Sequence, residues 1–282
     1  MAVCEVCFRH CDIGEGKLGV CKARTCRDGK VVAANYGRVT SLALDPIEKK
    51  PLARFFPGSQ ILSYGSYGCN LFCPFCQNHD ISRSDGREFE DVITPEDLLR
   101  IALKYRSRGN IGIAYTYNEP LVSYEFIRDT ARLVNEAGMK NVLVTNGTAE
   151  IHVLEEILPY IDAMNVDIKS MSEKTYRDFL KGDLATTKAF IERAAKDCHI
   201  ELTMLIVPGM NDTEDEMREL ISWIAGLTDK NGIVIGNEIP LHISRFFPRY
   251  RLTDVAPTDV GKIYALADVA REKLKYVYTG NC

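Results

Sequence analysis

Short apolar runs alternate with longer stretches of helical period along the chain from about residue 60 onward. The runs are rich in β-branched residues and apolar enough to be covered on both faces, as the strands of a parallel sheet are. This alternation predicts an α/β fold built from repeated βα units. We predict six main strands and a short final one, at residues 61–66, 111–115, 142–145, 163–168, 200–207, 237–243 and 276–278.

Three stretches carry clear helix signals. Thr94 and Pro95 supply an N-cap hydroxyl and a proline at the first helical position. Between residues 217 and 225, apolar side chains recur at steps of three and four, which gives one apolar stripe that faces a sheet. The last helix is predicted at residues 257–274. Six βα units form either an open doubly wound sheet or an incomplete barrel, and both bind ligands at the carboxyl ends of their strands.

Composition narrows the classes of function. The 282 residues include 35 Lys and Arg against 39 Asp and Glu, a net charge of −4, so no basic excess exists for nucleic acid. No run reaches the ~18 apolar residues of a membrane span, and the polar N-terminus does not resemble a signal peptide. We therefore expect a cytoplasmic protein with no nucleic-acid or membrane partner. We expect a cysteine-rich lobe at residues 1–55 and a core domain at residues 56–282.

Eight of the ten cysteines lie in the first 76 residues. In a reducing compartment, clustered cysteines are more often metal ligands or catalytic thiols than disulfides. The positions of these cysteines therefore say more about function than their number does.

Three of these cysteines follow the first predicted strand directly, as Cys69, Cys73 and Cys76 in a C-x3-C-x2-C pattern. An iron–sulfur cube normally takes four thiolates, so three leave one iron open for an outside ligand. S-adenosylmethionine can fill that position, and one electron from the cluster then cleaves it to methionine and a 5′-deoxyadenosyl radical. The pattern therefore favours a [4Fe–4S] cluster with S-adenosylmethionine. The alternative is a zinc site in which His79 is the fourth ligand.

Several segments of the chain resemble the AmmeMemoRadiSam branch of the radical S-adenosylmethionine enzymes. They comprise residues 45–52, 56–59, 68–78, 81–82, 117–120 and 278–281. The wider group is similar to the pyruvate formate-lyase activating enzymes, which use an incomplete (β/α)6 barrel. The resemblance implies an incomplete (β/α)6 radical-SAM barrel with a small N-terminal cysteine-rich lobe.

The resemblance also implies which residues contact the cofactor. Glu119 matches the family's Gly-Gly-Glu loop, whose carboxylate meets the methionine ammonium, although Tyr117 and Asn118 replace the two glycines. The implied contacts are Asn118, Glu119, Thr145, Asn146, Asp167, Lys169 and His242. Each also has an ordinary structural interpretation: turn chemistry for the first four, a salt bridge for Asp167 with Lys169, and a buried structural histidine.

The N-terminal cysteines form a second group, in which Cys4, Cys7 and Cys11 are followed by Cys21 across a glycine-rich turn. Four thiolates can close a tetrahedron. Zinc there would stabilise a lobe that is too small for its own core, and a second iron–sulfur cluster would relay electrons or hold substrate. Free thiols are the third alternative. Cys26 lies outside the family pattern.

The sequence thus predicts an oxygen-sensitive enzyme that reductively cleaves S-adenosylmethionine and abstracts hydrogen from an unidentified small-molecule or protein substrate. An electron donor such as flavodoxin or ferredoxin is implied. No side chain is identified as catalytic, although Tyr64, Tyr67, Tyr115 and Tyr117 lie near strand ends. Two alternatives stay open: an activase of a glycyl-radical enzyme, and a zinc-stabilised binding scaffold.

Overall fold

Two small antiparallel hairpins make up most of the first 33 residues of the protein, whose computed structural model describes residues 1–282. Strand β1 (Ala2–Val3) pairs with β2 (Asp12–Ile13), and β3 (Arg24–Arg27) pairs with β4 (Lys30–Ala33). Asp28 and Gly29 both have positive φ, which suits the two-residue turn between β3 and β4.

One eight-stranded sheet forms the centre of the molecule. Its strands are β5 (Ser41–Pro46), β6 (Gln60–Gly65), β7 (Asn110–Thr116), β8 (Lys140–Thr145), β9 (Ala163–Asp167), β10 (His199–Ile206), β11 (Leu241–Arg245) and β12 (Val277–Gly280). Strands β6 to β12 are parallel and follow one another in chain order, whereas a doubly wound sheet reverses its order at a switch point. Strands β5 and β12 do not pair, so the sheet is an incomplete barrel, as predicted.

The ends of the first five predicted strands differ from the observed ends by no more than two residues. The prediction for the sixth strand was wrong at its start, because Gly236–Glu238 form a 3₁₀ turn and Pro240 precedes β11. Because Gly236 has no side chain, this turn can pack closely against the helix that contains Ile224. A Cβ at Gly236 would collide with the Ile224 carbonyl oxygen.

Seven α-helices surround the sheet: α1 (His79–Ser82), α2 (Pro95–Lys104), α3 (Tyr124–Glu136), α4 (Ile151–Ile157), α5 (Leu184–Ala194), α6 (Glu214–Ala225) and α7 (Val260–Arg271). Thr94 caps α2 through a reciprocal capping box with Asp97, as its sequence predicts. The predicted stripe of α6 is buried except for half-buried Ala225. Helix α7 is shorter than predicted because Asp259 caps its start. None of these helices combines the length and apolarity needed to span a bilayer.

A small apolar cluster packs the segment before β6 against the barrel strands. It consists of Ile47, Leu52, Ile61, Ala114, Val142 and Ala163, all fully buried. The main core lies between the strands and the surrounding helices. Polar side chains gather instead at the carboxyl ends of the strands.

Strand β5 lies inside the range predicted for the N-terminal lobe, yet it pairs with β6 from Ser41 opposite Gly65 to Pro46 opposite Gln60. The division at residues 55 and 56 stays a prediction. Residues 41–46 nevertheless belong to the central sheet by hydrogen bonding.

Candidate functional site

The loops that follow the parallel strands open into one cavity of about 730 Å³. This volume is typical of small-molecule sites, which occur at this end of barrels of parallel strands. All ten residues predicted for the cluster and its cofactor line it: Cys69, Cys73, Cys76, Asn118, Glu119, Thr145, Asn146, Asp167, Lys169 and His242.

The cysteine loop is held against the N-terminal lobe. The Cys69 amide donates to the Cys21 carbonyl at 3.2 Å, and Gly68 has a φ of 88°. A Cβ at Gly68 would lie 2.7 Å from both the Ala23 Cβ and the Cys21 oxygen, so only glycine fits.

The three cavity thiols have few polar neighbours. The Leu71 amide lies 3.4 Å from Cys69 Sγ, and Asn146 Nδ2 lies 3.8 Å from it. Burial raises the pKa of the Cys73 thiol to about 11, and burial with the neighbouring Glu119 charge raises the pKa of Cys69 further. Ligation by a metal deprotonates such thiols.

Glu119 is the buried carboxylate beside these thiols. Its Oε1 accepts hydrogen bonds from Thr145 Oγ1 at 2.7 Å and from the Leu121 amide at 3.1 Å. Its Oε2 accepts from the Asn146 amide at 2.8 Å. Burial outweighs these hydrogen bonds and raises the pKa of Glu119 to about 7. No cation pairs with this carboxylate, so it is a place where a ligand's positive charge fits.

Asn118, Thr145 and Asn146 make contacts within the protein. Asn118 Nδ2 donates to the carbonyls of Tyr67 and Gly68 at 3.0 and 3.1 Å, and its Oδ1 accepts from the Ser66 amide. The Asn146 side chain donates to Asn70 Oδ1 at 2.9 Å. These side chains therefore fix the cysteine loop and the Glu119 carboxylate.

Asp167 and Lys169 leave the end of β9 and pair with each other, with Nζ 2.9 Å from Oδ2. Burial alone would lower the pKa of Lys169, but the charges of Asp167 and Cys73 raise it above its usual range. Lys169 is therefore a charged ammonium at the cavity wall.

Glu201 holds His242 at the cavity wall, a contact that the sequence analysis missed. Its Oε2 lies 2.7 Å from His242 Nε2, and its Oε1 lies 3.0 Å from His199 Nε2. The amides of Ala53 and Arg54 also donate to it. Burial alone would raise its pKa, but these four partners lower it to about 2. The available signal was Glu201 itself, the one acidic residue of strand β10.

Tyr117 belongs to a second network that the sequence did not reveal. Its phenol donates to Asp45 Oδ2 at 2.8 Å, as do Lys50 Nζ and Ser63 Oγ at 2.9 Å. Tyr117 has a φ of 73°, a left-handed conformation that suits the glycine found there in the resembling family. It lines the cavity, whereas the other three candidate tyrosines, Tyr64, Tyr67 and Tyr115, are buried elsewhere.

The N-terminal thiols lie in a separate place. Cys4, Cys7, Cys11 and Cys21 line a small cavity together with Arg9 and Arg24. As the side chains stand, no three His, Cys, Asp or Glu side chains of the chain are close enough to hold one metal ion. A metal in this lobe stays a prediction. His79, the fourth ligand of the zinc alternative, does not line the main cavity and stacks on Tyr250 at 4.5 Å.

Comparison with known proteins decides the family. The sequence model of the Radical SAM superfamily matches residues 63–224, more than half of the chain. The chain belongs to the radical SAM superfamily. An uncharacterized protein of Methanocaldococcus jannaschii is 42% identical over 281 residues, which cover 99% of this chain and 80% of that protein. The pyruvate formate-lyase 1-activating enzyme of Escherichia coli is 26% identical over 170 residues, covering 58% and 68%.

Solved structures agree in fold with this radical SAM protein. QueE from Escherichia coli has a TM-score of 0.54 at 14% identity and covers 86% of this chain and 92% of its own. A radical SAM methyltransferase from Sphaerobacter thermophilus has a TM-score of 0.59 at 14% identity and covers 80% and 67%. At this identity the likeness concerns the fold alone.

Membership of the superfamily establishes the chemistry: the protein is a radical SAM enzyme that uses a [4Fe–4S] cluster and S-adenosylmethionine. The cavity fits these groups. It offers three thiols, of which Cys69 has N–H donors near its sulfur, a buried carboxylate without a cation, and an Asp–Lys pair.

Proposed function

We propose that Cys69, Cys73 and Cys76 ligate the [4Fe–4S] cluster, and that the rest of the cavity binds S-adenosylmethionine and a substrate. The observation that carries the proposal is that the three thiols and Glu119 open into the same 730 Å³ cavity at the strand ends. Together, the reduced cluster and S-adenosylmethionine supply a radical that abstracts hydrogen. The protein's part is to bind, orient and shield these groups.

Glu119 receives the ammonium group of the methionine moiety. Both of its oxygens are already oriented by hydrogen bonds from Thr145, Leu121 and Asn146, so the carboxylate does not have to reorganise. A cation beside it would favour the ionised form that burial opposes. A charge-assisted hydrogen bond in such a dry place contributes about 1.5–3 kcal/mol.

Asp167 and Lys169 bind other groups of S-adenosylmethionine. Lys169 donates to the methionine carboxylate, and Asp167 accepts from ribose hydroxyls. Support comes from their position: both line the cavity, and the Lys169 ammonium is near enough to Cys73 to offset part of the rise in pKa that burial causes in that thiol. The two side chains also form an ion pair with each other.

His242 faces the adenosine side. Its ring stacks on Tyr278 with centroids 5.2 Å apart, and Glu201 fixes its Nε2. Leu71 and Phe75 supply apolar surface beside the thiols, which limits the access of water to a reactive radical.

The substrate is a small molecule or a protein segment, and the reductant is a protein of the flavodoxin or ferredoxin class. All ten cysteines are free thiols, which supports a cytoplasmic enzyme kept reduced. A second candidate, activation of a glycyl-radical enzyme, is favoured by the relatives named as activating enzymes. One is the 4-hydroxyphenylacetate decarboxylase activating enzyme of Clostridioides difficile, 21% identical over 187 residues, 62% of this chain and 57% of that protein.

The test is anaerobic reconstitution with iron and sulfide, followed by dithionite and S-adenosylmethionine. We expect 5′-deoxyadenosine and methionine in equal amounts. Cys198→Ala is the matched control, because Cys198 precedes β10 outside the cavity and should leave this yield unchanged. A reconstituted protein that yields neither product would contradict the proposal. A glycyl-radical electron paramagnetic resonance doublet, formed on an added glycyl-radical enzyme, would favour the second candidate.

A further inference from the structure

Four thiols of the N-terminal lobe surround one buried cavity of about 10 Å³. Pairing of β1 with β2 brings Cys4 beside Cys11, whose carbonyl accepts the Cys4 amide hydrogen at 2.9 Å. Cys7 bridges to Ala149 of the barrel, and Cys21 follows the buried turn at Gly19. Four cysteines thus line one small cavity, and their sulfurs must move closer together to hold a single metal ion.

Arg24 carries an unsatisfied donor beside this cavity. Its side chain is 5% exposed and lines the cavity with the thiols. Nη1 pairs with Glu125 at 2.7 Å and Nη2 contacts the Val31 carbonyl at 3.4 Å, but the buried Nε has no hydrogen-bond partner. A buried donor without an acceptor costs about 1–3 kcal/mol, and native proteins rarely keep one. The missing acceptor is expected on the cavity side.

Arg9 adds a second guanidinium to the same wall. Its Nε donates to the Asn70 carbonyl at 2.7 Å, and the group lies near both Cys7 and Cys69. Glu125 pairs with Arg24, but no carboxylate pairs with Arg9, and four neutral thiols provide it with no balancing charge. Four thiolates on a zinc ion, or on an oxidised iron–sulfur cube, carry two net negative charges.

We propose that Cys4, Cys7, Cys11 and Cys21 bind a thiophilic metal centre, a zinc ion or an iron–sulfur cluster, whose net negative charge Arg24 and Arg9 balance. The thiols close around the metal when it binds, and Arg24 Nε donates to a ligating sulfur. The proposal does not depend on the function proposed for the main cavity.

The centre lies directly behind the loop of the active-site cysteines. The Cys21 carbonyl accepts the Cys69 amide hydrogen at 3.2 Å. Asn70 connects to Thr148 at 2.8 Å and to Asn146 at 2.9 Å. A metal bound by Cys21 therefore fixes the backbone partner of Cys69.

The test uses a variant with Cys69, Cys73 and Cys76 all replaced by Ala, so that any remaining metal belongs to the lobe. Elemental analysis after anaerobic purification should find about one zinc or about four irons per chain. X-ray absorption at that metal's edge should find sulfur as its protein ligand. Adding Cys7→Ser and Cys11→Ser should remove the metal, whereas Cys26→Ser should not. Cys26 is the matched control, because it is buried in the same lobe but contacts Glu15 outside the cavity.

Arg24→Gln tests the charge balance without touching a ligand. Loss of a hydrogen bond to a ligating group should weaken metal binding ten- to hundredfold in competition with a chelator. Glu125→Gln breaks the same ion pair but keeps the Arg24 donors, so its metal affinity should stay within about threefold of the parent. Unchanged affinity in Arg24→Gln, or no lobe metal in the parent, overturns the proposal. If the triple variant does not fold, the wild type decides through its zinc, or its iron above four per chain.

Discussion

Two buried carboxylates differ in what surrounds them: Glu119 lines the main cavity, whereas Glu201 contacts His242, which lines it. Glu119 accepts hydrogen bonds from one hydroxyl and two backbone amides, and burial raises its pKa to about 7. Glu201 is equally buried, but two histidines and two backbone amides overcome the effect of burial and lower its pKa to about 2.

The contrast distinguishes a binding group from a supporting one. Both oxygens of Glu201 have hydrogen-bond partners, and two of these partners are histidines, which can carry positive charge. Glu201 therefore needs no ligand to satisfy it. Hydrogen bonds orient the oxygens of Glu119, but no cation faces them. A positively charged ligand would therefore stabilise the ionised form of this carboxylate. In the function proposed above, the cysteines and Glu119 hold the cluster and its cofactor, and Glu201 positions His242.

The largest expected effect comes from Cys73→Ala. Two thiolates cannot hold a site-differentiated cube, so 5′-deoxyadenosine formation under dithionite should be abolished. Liquid chromatography of the anaerobic reaction measures it. If this variant still formed 5′-deoxyadenosine at a near wild-type rate, Cys73 would not be a cluster ligand.

Glu201→Gln should lower the free energy of unfolding by at most about 3 kcal/mol at neutral pH. The folded pKa of Glu201 lies below its unfolded value, so its stabilisation is present above pH ~4.5 and is lost as pH falls toward 2. The difference between wild type and variant in urea denaturation should therefore shrink from pH 5 to pH 3. Glu219→Gln, an exposed change on α6, should stay within ~0.5 kcal/mol of wild type at both pH values. A difference that is constant with pH would contradict the assignment.

Glu119→Gln should weaken S-adenosylmethionine binding ten- to hundredfold, because it removes a charge-assisted bond of about 1.5–3 kcal/mol. Isothermal titration under anaerobic conditions measures the dissociation constant, and iron content should stay that of wild type. Glu201→Gln should weaken binding less than Glu119→Gln does. The reverse order would overturn the comparison between the two carboxylates.

The smallest effect concerns pH. A cationic ligand needs ionised Glu119, whose pKa is about 7, so binding should release a proton. Affinity for S-adenosylmethionine should rise by up to about tenfold per unit as pH increases toward 7. Measurements between pH 5.5 and about 7 keep most of the ligand's α-ammonium protonated. Glu119→Gln should lose this dependence, and an equally steep profile in the variant would assign it to another group.

The sequence predicted the strands and the cavity residues for related physical reasons. Buried parallel strands appear in the sequence as apolar runs, so their ends can be predicted to within a few residues. The carboxyl ends of these strands lie at one edge of the sheet. Residues from separate loops, such as Cys73 and Lys169, were therefore predicted to converge, and both line the cavity. Strand β5 was missed because it is an antiparallel edge strand that precedes the βα alternation.

The contacts that were not predicted join residues far apart in the chain. Glu201 and His242 are 41 positions apart, Asp45 and Tyr117 are 72 apart, and Arg24 and Glu125 are 101 apart. Periodicity and spacing describe neighbours along the chain, so they cannot pair such side chains. The loop motif around Asn118 was recognised from the sequence, but the backbone partners of its amide required the fold.

Hydrogen bonds to other parts of the protein hold the loop from Tyr117 to Pro120 in place. The Tyr117 phenol is bonded to Asp45, its carbonyl accepts from Asn78, and Asn118 joins Tyr67 and Gly68. A free loop would lose about 1–2 kcal/mol of backbone entropy per residue when a ligand ordered it. Here that loss occurs during folding, so in the function proposed for Glu119 the ordering of this loop subtracts little from the affinity.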